Sequence, residues 1–504
     1  MRLLPLIAIV LAAAFAPAFA AAPGPIVVTG ETAAADGASY REVPFTVPRG
    51  VTRITVTTPG SDHGGVSLGV ADADGLRGWS GGARNDVTLS ANDATPGYRV
   101  GPIVPGPWKL VLGFPPLQPG ARLHYEARIA FVTGPLAGAG DKPLREGPGW
   151  YRGDFHVHTG FTSDILCPAQ SGAPAPCPAI RSAEAAARRG LDFIAVTDRN
   201  TTSHFAALRE LQPAFDRLLL IPGEEVTTYY GHANVFGLSS LVDFRIDAGR
   251  PISTILDQVE RQGAVLSINH PGEPAWTNGC TGCRWTAPGT DFGRVQAVEV
   301  VNGGFQINTK SAEGRYQGID FWQAQLSAGQ RITAIGGSDN HDPAIAPGGF
   351  SAIGQPTTVV YAAALSTPAI LDGLRSGRVF VDVEGTRDRS LDLEAAAGDR
   401  RAVMGQTLSV RPGETVHFQA RIAGVAAGRL EIVVDGSAAA LLADPNLSAA
   451  PTTAAFAWTA DAAPHWIRLN VRSAGGDLLL LGNPIYLRPN DLGAKEGRRS
   501  RAPG

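Results

Sequence analysis

The chain has 504 residues, of which 44% are hydrophobic and 18% charged, a balance typical of folded domains that excludes a wholly disordered protein. Its 61 glycines and 38 prolines argue against a helical bundle and favour strands joined by turns. The net charge is −3 and the arginines are scattered along the chain, so no nucleic-acid-binding surface is predicted.

The first twenty residues have the features of a secretory signal peptide. Arg2 is followed by an uncharged run to Phe19, and the small residues Ala18 and Ala20 mark a cleavage signal. We therefore predict a signal peptide at 1–20 and a periplasmic or secreted protein. A retained membrane anchor is the alternative, although the run is short and interrupted by prolines. No second apolar span follows, so no membrane span is expected after cleavage.

An oxidising compartment favours disulfides between the four cysteines. Cys167 and Cys177 flank a short loop, and Cys280 and Cys283 form a CxxC motif. We predict the pairs Cys167–Cys177 and Cys280–Cys283. A zinc site ligated by all four cysteines remains the alternative, although the usual pair of CxxC units is missing.

Residues 25–135 alternate short apolar runs with Pro, Gly, Asp and Asn turns. Runs such as Ile54–Val56 and Trp108–Leu112 show period-two alternation, which predicts an antiparallel β-sandwich. A Gly/Pro-rich linker is predicted at 136–150.

From residue 151 to about 385, buried-strand runs alternate with helical stretches, a rhythm typical of parallel α/β folds whose strands can close into a barrel. Three predicted helices each stop at a glycine, and they span Ser182–Arg189, Ile252–Gln262 and Asp320–Ala328. The predicted strands are Asp154–Thr159, Leu191–Thr197, Leu218–Glu225, Ala233–Leu238, Ala264–Asn269, Val295–Val301, Ile332–Ser338 and Thr357–Tyr361.

The strand pattern returns at residues 389–487, where Leu430–Val434 precedes the turn Asp435-Gly436. We predict a second β-sandwich there and a disordered tail at 488–504. The fold class is therefore multidomain, with a central α/β barrel between N- and C-terminal β-sandwich domains.

Metal-ligand residue types cluster at the ends of the predicted barrel strands. Side chains two positions apart on a strand share a face, so His156 and His158 can reach one ion, and Asp339 and His341 repeat this spacing. Because the ends of parallel barrel strands meet on one rim, residues distant in sequence converge there. The other ligand-type residues at these places are Asp164, Glu225, His232 and His270.

The order of these motifs resembles the polymerase-and-histidinol-phosphatase (PHP) superfamily. Pro222–Val226, Gly231-His232 and Asn483–Leu487 are similar to the secreted CehA/McbA-type metallohydrolases of that superfamily. The resemblance covers about 151–383 and carries six motifs in order, which are His156-Val157-His158, Thr197-Asp198, Gly223-Glu224-Glu225, Gly231-His232, His270-Pro271 and Gly337–His341.

The resemblance implies a distorted (β/α)7 barrel that binds up to three divalent metals and hydrolyses phosphoester or related ester bonds. It implies a first metal held by His156, His158, Glu225 and Asp339, a second held by Glu225, His232 and His270, and a third held by Asp164 and His341. Glu224 competes with Glu225 as the bridging ligand, and the family spacing favours Glu225.

Arg199 departs from the family pattern, which has histidine at that position. A guanidinium cannot ligate a metal, so two metals are expected and the third site is in doubt. Arg199 either grips an anionic substrate or forms a structural ion pair with Asp164. Asn302, at the end of a strand, either contacts substrate or has a turn role.

Mixed imidazole and carboxylate ligands suit Zn, Mn or Fe. We predict a hydrolase that uses a metal-activated hydroxide on a small, anionic phosphate mono- or diester, with Asp339 and Arg199 as catalytic residues. One alternative is a carboxyl- or carbamate-ester hydrolase of the carbaryl-hydrolase type. Another is a non-catalytic binding protein with a structural metal.

Overall fold

The computed structural model describes residues 24–490, except 37, 60–65, 82–83, 92, 134–139, 163–164, 275, 278–279 and 449; residues 276, 277, 280, 281 and 307–309 are described by their backbone only. The chain is multidomain and rich in β-sheet, and it divides into two compact units between Leu136 and Ala137. The predicted signal peptide and the tail beyond residue 490 lie outside the described residues.

The first unit contains two antiparallel four-stranded sheets, with strand orders β1-β8-β3-β6 and β2-β7-β4-β5. Alternate residues of β8, such as Leu123 and Ile129, point into one apolar core to which both sheets contribute. A 3-10 helix spans Ala34–Asp36. The strands are β1 (Ile26–Ala33), β2 (Ser39–Val47), β3 (Val51–Thr57), β4 (Ser67–Asp72), β5 (Gly75–Trp79), β6 (Asp86–Ser90), β7 (Gly106–Phe114) and β8 (Arg122–Thr133).

The second unit begins with strands and helices in alternation. Its strands are β9 (Arg145–Val157), β10 (Leu166–Pro168), β11 (Pro174–Pro176), β12 (Phe193–Val196), β13 (Leu219–Thr228), β14 (Gly231–Phe236), β15 (Val265–Ile268), β16 (Trp276–Thr277), β17 (Cys280–Thr281), β18 (Ala297–Asn302), β19 (Thr333–Gly337), β20 (Thr357–Leu365) and β21 (Val379–Asp382). Its helices are α1 (Ala179–Arg189), α2 (Phe205–Leu211), α3 (Ile252–Arg261), α4 (Gly303–Thr309), α5 (Ile319–Ser327) and α6 (Thr367–Ser376), with 3-10 helices at Gln212–Ala214 and Phe292–Arg294.

Seven strands, which we call the central strands, run in the order β19-β18-β15-β14-β13-β12-β9. Neighbours are parallel except at β14, which is antiparallel to both β13 and β15. The outermost two also meet, because Val157 and Asn340 form an isolated parallel bridge at the ends of β9 and β19. All seven contribute to one apolar core, including Phe155, Phe193, Ile221, Phe236, Val265, Ala297 and Ile335.

Helices α3 and α5 pack their apolar faces on the central strands through side chains such as Leu256 and Trp322. Helix α1 ends at Gly190, whose φ of 71° is the left-handed conformation that glycine adopts without strain. Apart from the start of β9, the predicted helices and strands lie within a few residues of the observed ones, because periodicity and terminating glycines mark them locally.

The C-terminal strands form two sheets. One is separate, with the order β23-β22-β25-β29, and the other extends the sheet of the central strands through β9, β20, β21 and β31. These strands are β22 (Ser390–Ala397), β23 (Arg400–Val403), β24 (Thr407–Val410), β25 (Thr415–Ala423), β26 (Ala427–Val434), β27 (Ser437–Ala439), β28 (Asn446–Ser448), β29 (Thr452–Thr459), β30 (His465–Ser473), β31 (Leu478–Gly482) and β32 (Ile485–Pro489).

Two predicted segments differ from the observed elements. Strand β9 begins at Arg145, inside the predicted linker, because residues 145–150 pair with β20. Strand β32 continues to Pro489, past the predicted start of the tail. Neither change moves the predicted site residues.

The Cys167–Cys177 disulfide is present and joins β10 to β11 in the loop that follows β9. Cys283 is also disulfide-bonded, but the side chain of Cys280, its predicted partner, lies outside the described residues. Among the described helices, none combines the length and apolarity needed to cross a membrane.

Candidate metal centre

The predicted ligands lie where the central strands end. The carboxyl ends of parallel strands lie at one edge of the sheet. The start of antiparallel β14 lies at the same edge, because His232 pairs with Thr227 near the end of β13. His156 and Glu225 lie within β9 and β13, and His232 lies at the start of β14. His158, Arg199, His270, Asp339 and His341 follow the ends of β9, β12, β15 and β19.

The first cluster has Asp339 at its centre. Asp339 Oδ1 lies 3.3 Å from His156 Nε2 and 3.1 Å from His158 Nε2. Glu225 faces the same two rings, with Oε1 3.6 Å from His156 Nε2 and Oε2 3.5 Å from His158 Nε2. All four residues are buried. The set His156, His158 and Glu225 has the spacing of a metal site.

Glu225 also faces a second pair of histidines, which makes it the carboxylate common to both clusters. Its Oε1 lies 3.2 Å from His232 Nδ1 and 3.6 Å from His270 Nε2. Asn269 Nδ2 donates a hydrogen bond to the same oxygen at 3.2 Å. Cys283 lies close enough to these histidines to complete a ligand group, but its sulfur is already in a disulfide.

Glu224, the alternative bridging ligand, points away from this cluster, as alternation along a strand requires. It accepts a hydrogen bond from Val242 N at 2.9 Å, and burial raises its pKa to about 7. The structure thus brings Glu225, and not Glu224, to the histidines.

Arg199 lies between Glu225 and His341. Its Nε donates to Glu225 Oε2 at 3.0 Å, and its Nη2 donates to His341 Nε2 at 2.9 Å. The other ring nitrogen of His341, Nδ1, therefore carries the proton and donates to Asp339 O at 2.8 Å. The group His158, Asp339 and His341 also has metal-site spacing, but in this arrangement the lone pair of His341 faces a guanidinium. The predicted ligand Asp164 lies outside the described residues.

Arg199 is held in place by its neighbour Asp198. Asp198 accepts hydrogen bonds from the backbone and hydroxyl of Thr159 and from the hydroxyl of Thr162, and it lies 3.2 Å from His204 Nδ1. Thr162 Oγ1 in turn accepts from Arg199 N. These buried bonds tie the loops after β9 and β12 together beneath Arg199.

The chemistry of His156 shows that a divalent cation fits the first cluster. His156 Nδ1 donates to a carboxylate, Glu299 Oε1, at 3.0 Å, so in the neutral ring Nε2 is a bare acceptor. This buried Nε2 has no hydrogen-bond partner among the described residues and faces the oxygens of Asp339 and Glu225. When the ring is neutral, three acceptors converge here, and they repel one another unless a metal ion or a proton lies between them.

The site concentrates opposite charges in a buried space. Burial alone would lower the pKa of His156, but Asp339 and Glu299 outweigh it and hold the pKa well above its usual value. Burial would raise the pKa of Asp339, yet the surrounding histidines keep it well below its usual range. Arg199 and the histidines likewise depress the pKa of Glu225 against burial. The carboxylates are therefore ionised, and their charge is balanced either by protonated His156 or by a bound cation.

Two ligand positions are held in left-handed backbone. His270 has φ 28° and Asp339 has φ 50°, conformations that non-glycine residues adopt only when their surroundings compensate. For Asp339 part of that support is Ser351 Oγ, which donates to its carbonyl at 3.0 Å. For His270 it is the bond from its backbone N to Glu299 Oε2, also 3.0 Å.

Glu299 and Asn269 are the site residues that the sequence interpretation missed. A lone carboxylate between Val298 and Val300 on a predicted buried strand was the available signal, because unpaired charges are rarely buried. Asn302 is fully buried: its Oδ1 accepts from Phe305 N at the start of α4 and its Nδ2 donates to Glu299 Oε2. Asn302 thus has the turn role in the structure, and its contact with substrate stays a prediction.

No protein-family model matches the chain, and no curated protein matches it. Among solved structures, it is similar to a two-domain protein from Bacteroides vulgatus that contains a predicted PHP-like metal-dependent phosphoesterase. The two share 20% sequence identity with a TM-score of 0.37, and the match covers 70% of this chain and 100% of the other.

Proposed function

We propose that the protein is a secreted, metal-dependent hydrolase of the PHP type that cleaves a phosphate mono- or diester. The observation that supports this most directly is the buried, unpartnered Nε2 of His156, which converges with the oxygens of Asp339 and Glu225. With a neutral His156 ring the cluster presents acceptors alone, which a divalent cation would satisfy together.

In this proposal His156, His158, Glu225 and Asp339 hold one divalent ion. Glu225, His232 and His270 hold a second, so that Glu225 is shared. Two ions of Zn, Mn or Fe bound there would supply Lewis-acid activation of water and of the ester. The mixed nitrogen and oxygen donors suit these metals better than Ca or Mg.

The protein's own groups complete the chemistry. Asp339, ionised and next to both His156 and His158, is placed to accept the proton of the attacking water. Arg199 contributes a fixed positive charge beside Glu225 and is partly exposed, so it can stabilise the negative charge of a phosphate. We propose that this charge takes the place of a third metal.

The proposal also assigns the surroundings of the site. We propose a distorted (β/α)7 barrel at 151–385 between β-sandwiches at 25–135 and 389–487, a cleaved signal peptide, a periplasmic or secreted location, and a Cys280–Cys283 disulfide. The substrate is a small anionic ester.

The test is a panel of nitrophenyl phosphate mono- and diesters assayed with added Mn²⁺ or Zn²⁺. We expect metal-dependent turnover that Asp339→Asn abolishes. Asp382→Asn is the matched control, because Asp382 is also buried but pairs with Arg152 and belongs to none of the described groups with metal-site spacing. Turnover that survives exhaustive chelation would exclude the proposal. Hydrolysis of naphthyl esters without phosphatase activity would instead select the carbamate-ester alternative, and metal binding without any turnover would select a binding protein.

Elemental analysis tests the metal count separately. We expect two metals per chain in the wild type and three in Arg199→His, because a histidine would free His341 Nε2 and add a ligand next to it. An unchanged count in the variant would contradict the role given to Arg199.

A further inference from the structure

We propose that Glu299 is a positioning residue that sets three of the metal-ligand positions at once. This inference rests on the proposed function, but its evidence is a set of contacts that the ligand assignment does not use. Glu299 lies on β18, is 1% exposed, and belongs to none of the described groups with metal-site spacing.

The first contact fixes the ring of His156. Since a carboxylate only accepts, the 3.0 Å bond from Nδ1 to Glu299 Oε1 assigns the proton to Nδ1. The lone pair of the neutral ring is then on Nε2, the atom that faces Asp339 and Glu225. A carboxylate behind a ligating histidine also makes the ring a stronger donor to a metal.

The second oxygen reaches two further ligand positions. Oε2 accepts from His270 N at 3.0 Å, which supports the left-handed backbone of His270. The same oxygen accepts from Asn302 Nδ2 at 2.9 Å, and Nδ2 also lies 3.4 Å from Asp339 Oδ2. One carboxylate therefore connects residues that we assign to the first metal with one that we assign to the second.

The neighbouring strand β19 leaves space for the Glu299 carboxylate. A Cβ on Gly337, at the end of β19, would lie 2.4 Å from Glu299 Oε1 and 2.5 Å from His156 Cβ. Only glycine lets the carboxylate sit between β18 and β9. The fit is specific to this carboxylate because both oxygens are engaged by described donors.

Glu299→Gln tests the inference with little change in shape. The glutamine amide has one oxygen that accepts and one NH2 group that donates. The NH2 group would therefore face another donor, either His156 Nδ1 or the pair His270 N and Asn302 Nδ2. We expect the affinity for Zn²⁺ alone, measured by competition with a chromogenic chelator, to fall tenfold to a hundredfold. The midpoint of thermal unfolding without metal should fall no further than in Asp382→Asn.

Asp382→Asn separates positioning from general stability. It removes a buried, ion-paired carboxylate outside the site and should leave the Zn²⁺ affinity at the wild-type value. Equal affinity in Glu299→Gln and wild type would overturn the inference, and so would the same loss of affinity in Asp382→Asn. If Glu299→Gln does not fold, Glu299→Asp takes its place, since the shorter side chain cannot reach both groups; wild-type affinity there would also overturn it. Failure of the wild type to bind Zn²⁺ would instead refute the proposed function.

Discussion

Residues 25–135 and 389–487 share a pattern of short alternating strands, and each region builds mainly antiparallel sheets around an apolar core. The described strands of the N-terminal unit, which ends at Leu136, pair with one another in two sheets. One of the two C-terminal sheets instead continues the sheet of the central strands, because β21 pairs with β31. Alternation thus predicts that strands form, but it does not predict their neighbours.

The C-terminal core likewise includes residues of the region that carries the site. It includes Val359 of β20 and Phe380 of β21 alongside residues of β22 to β32, and Trp150 of β9 packs against it. Strand β9 also carries His156, so the C-terminal sheets support the strand that holds a proposed metal ligand.

Deletion of 389–490 should have the largest effect of any change. It would expose Phe380 and remove the partner of β21, and we expect loss of cooperative unfolding and of soluble protein. Circular dichroism during thermal unfolding is the measurement. Deletion of 24–136 is the control, and it should leave a folded protein that binds metal, since every described ligand lies beyond residue 136. A well-folded C-terminal deletion would show that the continuous sheet is dispensable.

Asn483 joins the C-terminal region to the central strands through a single buried side chain. Its Oδ1 accepts from Ala334 N at 2.7 Å, and its Nδ2 donates to the carbonyls of Ala334 and Val379 at 3.0 and 2.9 Å. Asn483→Ala should lower the free energy of unfolding by about 3 kcal/mol, because buried backbone groups of β19 and β21 lose their partners. Denaturant titration measures this, with exposed Asn446→Ala as the control. Equal stability of the two variants would contradict the anchoring role.

Local patterns explain how much could be predicted. The strands that carry His156 and Glu225 were predicted because apolar runs mark buried strands. Their ligands were predicted because ligand types recur near strand ends. The convergence of these residues depends on parallel strands sharing an edge, which is a general rule of such sheets.

The remaining features depend on long-range pairing. The ion pair of Arg199 with Glu225 forms because the loop after β12 lies next to β13. No local sequence pattern specifies that contact. The pairing of β21 with β31 joins segments about a hundred residues apart, and the contacts of Glu299 join three strands. Charge inside an apolar strand indicates that a partner exists without identifying it.

Metal binding should raise the free energy of unfolding of the second unit and not that of the first. The described ligand groups all lie in the second unit, so Zn²⁺ at about 100 times its dissociation constant should stabilise that unit by about 2.7 kcal/mol and leave the first unchanged. Calorimetry of the full chain, with and without chelator, should show one transition that shifts and one that does not. A shift of both transitions, or of neither, would contradict this division.

The smallest expected effect is a pH dependence in the C-terminal sheets. Burial would lower the pKa of His465, but its contacts with Asp435 and Asp461 outweigh burial and raise it. A raised pKa stabilises the fold fully below the unfolded value of about 6.5, and this contribution is lost as pH rises through the folded pKa. Solvent screening keeps it below about 1 kcal/mol.

His465→Gln isolates that contribution, because the other titrating groups cancel in the difference between variant and wild type. The variant should be less stable than the wild type near pH 5.5, and the gap should narrow toward pH 8.5 in metal-free protein. Denaturant titrations across this range measure the gap. A gap that stays constant or widens with pH would mean that the two aspartates do not hold the proton on His465.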